Sequence, residues 1–241
     1  MARAEDIAQA RGTVAIIGGT GALGFGLALR WAIAGLPIVL GSRDAGRAAE
    51  AADRVRARAN EASAVEVSVD GMTNEEAAKR SRTVVLAVPF RAQSENLNNL
   101  RYALEPQTTL VDATVPLAAA IGGRATRTLG VWQGSAAQQA AEMAPRAVAV
   151  VAALHTISAA ALSDPHRLMD EDVLIAGDDR KAKDDVAALI DRIPGLRPID
   201  CGDLEMARII EQLTPLLISI NKRHKVKHSG IRITGLDTAA D

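Results

Sequence analysis

The chain has 241 residues, 48% hydrophobic but only 2% aromatic, and a formal net charge of −1. That is enough for one large domain, or one with a small companion, around a core packed by Ala, Val, Leu and Ile, and it leaves no basic excess for nucleic acid. A single cysteine, Cys201, excludes an internal disulfide and a cysteine-rich metal site, the charged start Met1–Asp6 lacks the apolar stretch of a signal peptide, and no apolar run reaches the roughly 18 residues of a membrane span, so a soluble, cytoplasmic protein is expected.

Short apolar, β-branched runs alternate with Ala-rich stretches of helical period. Strands are predicted at 13–17, 37–41, 64–69, 83–88, 108–112 and 147–153, with helices at 22–34, 44–61, 73–80, 91–103 and 135–143. Alternating βα units with buried strands imply an α/β fold, a doubly wound parallel sheet of Rossmann type. Gly35-Leu36-Pro37 stops the first helix. After His155 the pattern changes to a strand (172–176), a helix (180–193), a short strand (196–200) and a long helix (203–223). Residues 1–157 therefore read as one domain and 158–241 as a smaller C-terminal α/β domain. Thr214-Pro215 should kink the last helix by removing a backbone hydrogen bond. Its apolar face (Leu204, Ile209, Leu213, Leu216, Leu217, Ile220) suits core packing or a dimer interface.

The first strand ends in Gly19-x-Gly21-x-x-Gly24 and passes straight into a helix. Such a turn leaves backbone N–H groups at a helix N-terminus, where a pyrophosphate can sit, so Gly19, Thr20, Gly21, Ala22, Leu23 and Gly24 are candidate dinucleotide-binding residues. NAD-specific folds usually place an acid at the tip of the second strand to hold the ribose 2′-hydroxyl. Here the strand ends Val39-Leu40-Gly41-Ser42-Arg43, a hydroxyl and a cationic fork that suit a 2′-phosphate. Arg47, four residues on, lies on the same helix face, and Asp44 is expected to cap that helix. NADP is the expected cofactor.

Ligands of open α/β sheets bind at the carboxyl ends of strands. Val88-Pro89-Phe90 ends the fourth strand at a proline stop, and Asp112-Ala113-Thr114-Val115-Pro116 ends the fifth at another. Val88, Pro89 and Val115 are therefore candidate cofactor contacts, Val88 and Phe90 packing either on an adenosine or nicotinamide or into the core. His155 follows a continuous buried-strand pattern and should point into the cleft. His166, His224 and His228 sit in polar stretches and form no metal-binding set, while the basic run 222–228 is either a solvated helix end or a docking patch for an anionic substrate tail.

Taken together, Gly-Gly-Thr-Gly-Ala-Leu-Gly (18–24), Val-Leu-Gly-Ser-Arg (39–43), Ala-Leu-His-Thr-Ile (153–157), Gly-Asp-Asp (177–179), Gly-Leu-Arg-Pro-Ile-Asp-Cys-Gly-Asp-Leu (195–204), Glu-Gln-Leu-Thr-Pro-Leu-Leu (211–217) and Gly-Ile-Arg-Ile (230–233) give a chain that resembles the NADPH:coenzyme F420 oxidoreductases over about 13–236. The resemblance implies hydride transfer between NADP(H) and the deazaflavin coenzyme F420, in a homodimer. It implies that Thr20, Ser42, Arg43 and Arg47 contact NADP, with Ala159 also on the cofactor side. It implies that the deazaflavin lies near His155, Ile157 and Ser229, His155 helping to position the ring. The N-terminal extension, the tail after residue 236 and the stretch 117–131 depart from the family pattern. An NADPH-dependent reductase of a pterin or an imine on the same scaffold, or a non-catalytic NADP(H) sensor, are the alternative readings; an imine reductase would need a proton donor, which His155 could supply.

Overall fold

A computed structural model describes residues 12–63 and 66–236. The strands are β1 (Val14–Ile17), β2 (Ile38–Ser42), β3 (Val69–Thr73), β4 (Thr83–Leu86), β5 (Thr109–Asp112), β6 (Ala149–Ala152), β7 (Glu171–Gly177) and β8 (Leu196–Asp200). The helices are α1 (Ala22–Ile33), α2 (Ala45–Ala62), α3 (Asn74–Lys79), α4 (Gln93–Leu100), α5 (Ala136–Met143), α6 (Ala159–Leu162), α7 (Arg180–Asp191) and α8 (Ala207–His224). Single 3-10 turns at Phe90–Ala92 and Leu204–Met206 lead into α4 and α8.

The strands form one sheet in the order β3-β2-β1-β4-β5-β6-β7-β8. The first six are parallel, and the order reverses between β1 and β4, the switch point where such sheets bind ligands. Past residue 157 the chain continues this sheet. β7 runs antiparallel to β6 through only two residue pairs, Val151 with Gly177 and Ala152 with Ala176, and β8 lies parallel to β7. All seven β7 residues are buried, so the apolar edge that β6 would otherwise expose is covered.

Apolar clusters fill both faces. One joins Ile16, Leu27, Trp31, Val55, Leu162 and Ile190 under α1, α2, α6 and α7. The other joins Ile17, Leu86, Leu97, Leu110, Ala140 and Ile210 under α3, α4, α5 and α8. Fully buried Trp31 on α1 donates its indole N–H to the Leu189 carbonyl on α7 at 3.0 Å, tying the late layer to the early one.

The predicted strand at 64–69 lies elsewhere: residues 64 and 65 are outside the described segments, and the pairing strand is Val69–Thr73, in register with Ile38–Ser42. Gly71 gives the reason, because a Cβ there would stand 2.2 Å from the Ala48 carbonyl oxygen, so only a glycine lets β3 lie under α2. Helix α6 had no counterpart in the sequence reading. The apolar face expected of the last helix divides in two. Leu204 and Leu217 are buried with Ala207 and Ile210, whereas Ile209 and Leu216 are 58% and 52% exposed. Pro215 sits inside α8 with helix on both sides.

Candidate functional site

The turn between β1 and α1 is built by the absence of side chains. Gly18 has φ +82°, and a Cβ on it would meet the Ala87 carbonyl oxygen and Val88 Cγ1, each at 2.8 Å. Gly24 approaches the same turn from the helix side, its Cβ position 2.7 Å from the Gly18 carbonyl oxygen. Gly21 is the N-cap of α1, no side chain caps the helix, and no acid occupies its first turn. The N-terminal N–H groups are thus left for an anion, the requirement of a dinucleotide pyrophosphate.

A cleft of about 210 Å³ opens beside this turn at the switch point. It brings together Gly18, Thr20, Gly21, Ser42, Arg43 and Arg47, with Val88 and Pro89 across from them. Ser42 is buried and its hydroxyl accepts from the Asp44 N–H at 3.3 Å, while the Asp44 carboxylate caps α2 by accepting from the Arg47 N–H at 3.1 Å. Asp44 is thereby turned to the helix, and the exposed Arg43 and Arg47 have no ion-pair partner among the described residues. The set fits a doubly charged phosphate: cations, a hydroxyl and a helix N-terminus.

Two polar residues of this cleft, Asn74 and Asn96, escaped the sequence reading, as did Ala87 and Ala92. Asn74 donates to Asn96 Oδ1 at 2.9 Å, and its own buried Oδ1 has no partner. Gly41 is the one available signal, since a Cβ there would lie 2.8 Å from Asn74 Oδ1.

Val115, Ala159, His155, Ile157 and Ser229 stand outside this cleft, at the ends of the neighbouring strands and in the segments that follow them. The loop carrying Val115 is anchored by Asp112 at the tip of β5. That fully buried carboxylate accepts from the Thr114 N–H at 2.9 Å, the Thr114 hydroxyl at 2.8 Å and Gln93 Nε2 at 2.7 Å. Burial nevertheless pushes its pKa up to about 6, with the Thr114 and Gln93 hydrogen bonds pulling the other way. Glu211 on α8 reaches the N-terminus of α5, accepting from the Ala136 and Ala137 N–H groups at 3.0 and 3.1 Å. Burial, with the Asp112 charge adding to it, raises Glu211 to about 7 against those two bonds.

His155 is buried and neither ring nitrogen has a partner. Burial lowers its pKa to about 4, so the ring is neutral near pH 7. Leu154 just before it holds φ +70°, a left-handed conformation that a leucine adopts only under constraint. The constraint is visible in the next residue, whose carbonyl accepts from the Thr214 hydroxyl of α8 at 2.8 Å. The two ring nitrogens and the Ser229 hydroxyl are buried polar atoms without a protein partner among the described residues.

A larger groove, about 1210 Å³, opens at the opposite end of the sheet beside Thr13, Arg82, Arg146 and Asp179. It lies at the amino ends of the parallel strands, away from the switch point, and its lining mixes both signs of charge.

The family model for F420-dependent NADP oxidoreductases matches residues 13–116. An F420-dependent NADP reductase from Methanothermobacter thermautotrophicus is 46% identical over 224 residues, covering 92% of this chain and 95% of the relative. Another from Methanocaldococcus jannaschii is 40% identical over 224 residues, covering 93% and 99%. Among solved structures, a chain from Arthrobacter sp. FB24, proposed there to be an F420-dependent NADP-reductase, superposes with a TM-score of 0.72 at 24% identity, covering 91% of this chain and 98% of that one. A Streptomyces aurantiacus imine reductase shares the fold at a TM-score of 0.57 and 20% identity, covering 88% and 63%. With relatives 40–46% identical over 92–93% of its length, the chain belongs to the F420-dependent NADP reductase family.

Proposed function

We propose that this protein transfers a hydride between NADP(H) and the deazaflavin coenzyme F420. The observation that supports the reading is the 46% identity to an F420-dependent NADP reductase over 92% of this chain. When bound, the nicotinamide and the deazaflavin ring supply the hydride donor and acceptor. The protein's work is to bind and orient them and to exclude water. The turn 18–24 holds the pyrophosphate, Ser42, Arg43 and Arg47 hold the 2′-phosphate, and Val88, Pro89, Val115 and Ala159 line the path to the nicotinamide. His155, Ile157 and Ser229 face the deazaflavin, with the neutral His155 ring as a hydrogen-bonding support. On this reading residues 1–157 form the NADP domain and 158–241 the part that serves the second ring and dimerisation, with His155, Ile157 and Ala159 at the boundary where the two rings meet.

A homodimer is part of the proposal. The outward stripe Ile209, Leu213, Leu216 and Ile220 follows helical spacing on α8 and is only partly covered within one chain. One assay tests the function. Protein, NADPH and oxidised F420 are mixed and the deazaflavin absorbance followed. Bleaching is expected; no bleaching, with turnover of an imine or pterin under the same conditions, would replace F420 as the substrate.

A further inference from the structure

The antiparallel strand β7 brings one more group to the carboxyl end of the sheet. Ala152 pairs with Ala176, so the start of β7 at Glu171 lies beyond the end of β6, about 17 Å further on at ~3.4 Å per residue. Alternation puts Glu171 on the same sheet face as Val173 and Ile175, which pack in one cluster with Ile157, Leu162 and Met169. Glu171 is only 6% exposed, yet its Oε2 has no partner. It abuts Gly230, where a Cβ would stand 2.6 Å from the Glu171 Cβ and 2.8 Å from Oε2. The neighbouring Ser229 hydroxyl is likewise buried and unpartnered.

Of the nearby charges, Asp172, Arg197 and Arg232 pair with one another rather than with Glu171. Asp172 takes both Arg197 (2.8 Å) and Arg232 (3.0 Å), and Arg232 also reaches Asp170 at 2.6 Å. Arg197's hydrogen bonds hold Asp172 well below the usual carboxylate range. Glu171 goes the other way: burial raises it to about 7, with Arg167 opposing and Asp170 adding to the shift. A neutral carboxyl offers one donor beside one acceptor, the complement of an N–H next to a C=O in a cyclic amide. Buried polar atoms without a protein partner are completed by an ordered water or by a ligand.

We propose that Glu171, with the Ser229 hydroxyl of the segment that abuts it at Gly230, binds the cyclic-amide edge of the deazaflavin's pyrimidinedione ring and so fixes the ring's orientation. The proposal rests on the reading of the protein as an F420 reductase. The neutral carboxyl is the binding form, so affinity falls as pH rises through the range where Glu171 ionises. A glutamine keeps a donor and an acceptor at every pH.

The test is a titration of oxidised F420 into the full-length protein without NADPH, read by quenching of deazaflavin fluorescence at pH 6 and 8.5. Ionisation of the ligand itself is common to all variants and cancels in their ratio. Glu171→Ala is expected to weaken F420 binding about tenfold at pH 6, with the NADPH dissociation constant within twofold of wild type. The wild-type to Glu171→Gln ratio of F420 dissociation constants should rise between pH 6 and 8.5. Loss of both ligands in Glu171→Ala, F420 binding within twofold of wild type, or a pH-independent ratio to Glu171→Gln would each overturn the inference. Failure of the wild-type protein to bind F420 would instead overturn the function on which it rests.

Discussion

The Thr214 hydroxyl donates to the main-chain carbonyl of His155 at 2.8 Å, so the last helix of the chain holds the loop that leaves the sixth strand. On the same helix, Glu211 grips the N-terminus of α5. Both tethers converge on the carboxyl end of the sheet, where a left-handed Leu154 and an unpartnered imidazole stand ready-made. The rigidity that ring alignment demands comes from residues more than 50 positions away in sequence.

His155→Ala should lower turnover at least tenfold with little change in NADPH affinity, measured as kcat against the NADPH dissociation constant. Unchanged turnover would remove the ring from the mechanism. The same residue makes a stability prediction. Its folded pKa, about 4, is below the unfolded value, so its stabilising share is present above about pH 6.5 and is lost as pH falls towards 4. The full span is worth on the order of 3 kcal/mol, and the urea midpoint of His155→Gln should fall less than that of wild type across this window.

Arg43→Ala should weaken NADPH binding by about 1.5–3 kcal/mol, the range for a hydrogen bond to a charged group, and NADH binding hardly at all. Titration of both nucleotides against the variant checks it. Equal losses would mean that Arg43 does not read the 2′-phosphate. The expectation of NADP was legible in sequence because Gly41-Ser42-Arg43 is contiguous at the tip of one strand. Asn74 and Asn96 were not, because they meet the cleft from α3 and α4, elements whose approach depends on how β3 and β4 pack laterally. The shift of β3 from 64–69 to Val69–Thr73 had the same origin: the apolar pattern favoured the earlier run, and the Gly71 contact with the α2 backbone decided the pairing.

Gly24→Ala should cost both stability and NADPH affinity. Its Cβ would stand 2.7 Å from the Gly18 carbonyl and 2.9 Å from the Gly19 Cα, both backbone atoms that cannot swing aside. Overpacking of this kind costs about 1–3 kcal/mol, read as a lower Tm. The glycine spacing was fully readable in sequence because close approach leaves glycine as the fitting residue at this position.

Glu211→Gln should change stability in a pH-dependent way. The folded pKa is raised to about 7, so the wild-type side chain's favourable share is present below about pH 4.5 and lost as pH climbs through 7. The variant should therefore lose most relative to wild type in acid and recover on the order of 3 kcal/mol by pH 8, seen in urea midpoints. A constant difference would mean that Glu211 is ionised throughout. Its partner, Asp112, was visible in sequence as the end of a strand, but their coupling was not, since it requires α8 to fold back across α5.

Leu216→Asp on the outward stripe of α8 should yield monomers by light scattering while the fold, read by circular dichroism, is kept. A dimer that survives this change would place the interface elsewhere.

The reversal of one strand reshapes what the sheet can offer. Six parallel strands present only their carboxyl tips to a ligand, a one-sided shelf. Because β7 runs the other way, it lends its beginning to that same rim, and β8 follows it in parallel. Two joined residue pairs thus turn a one-sided shelf into a corner between the parallel strands and the reversed β7.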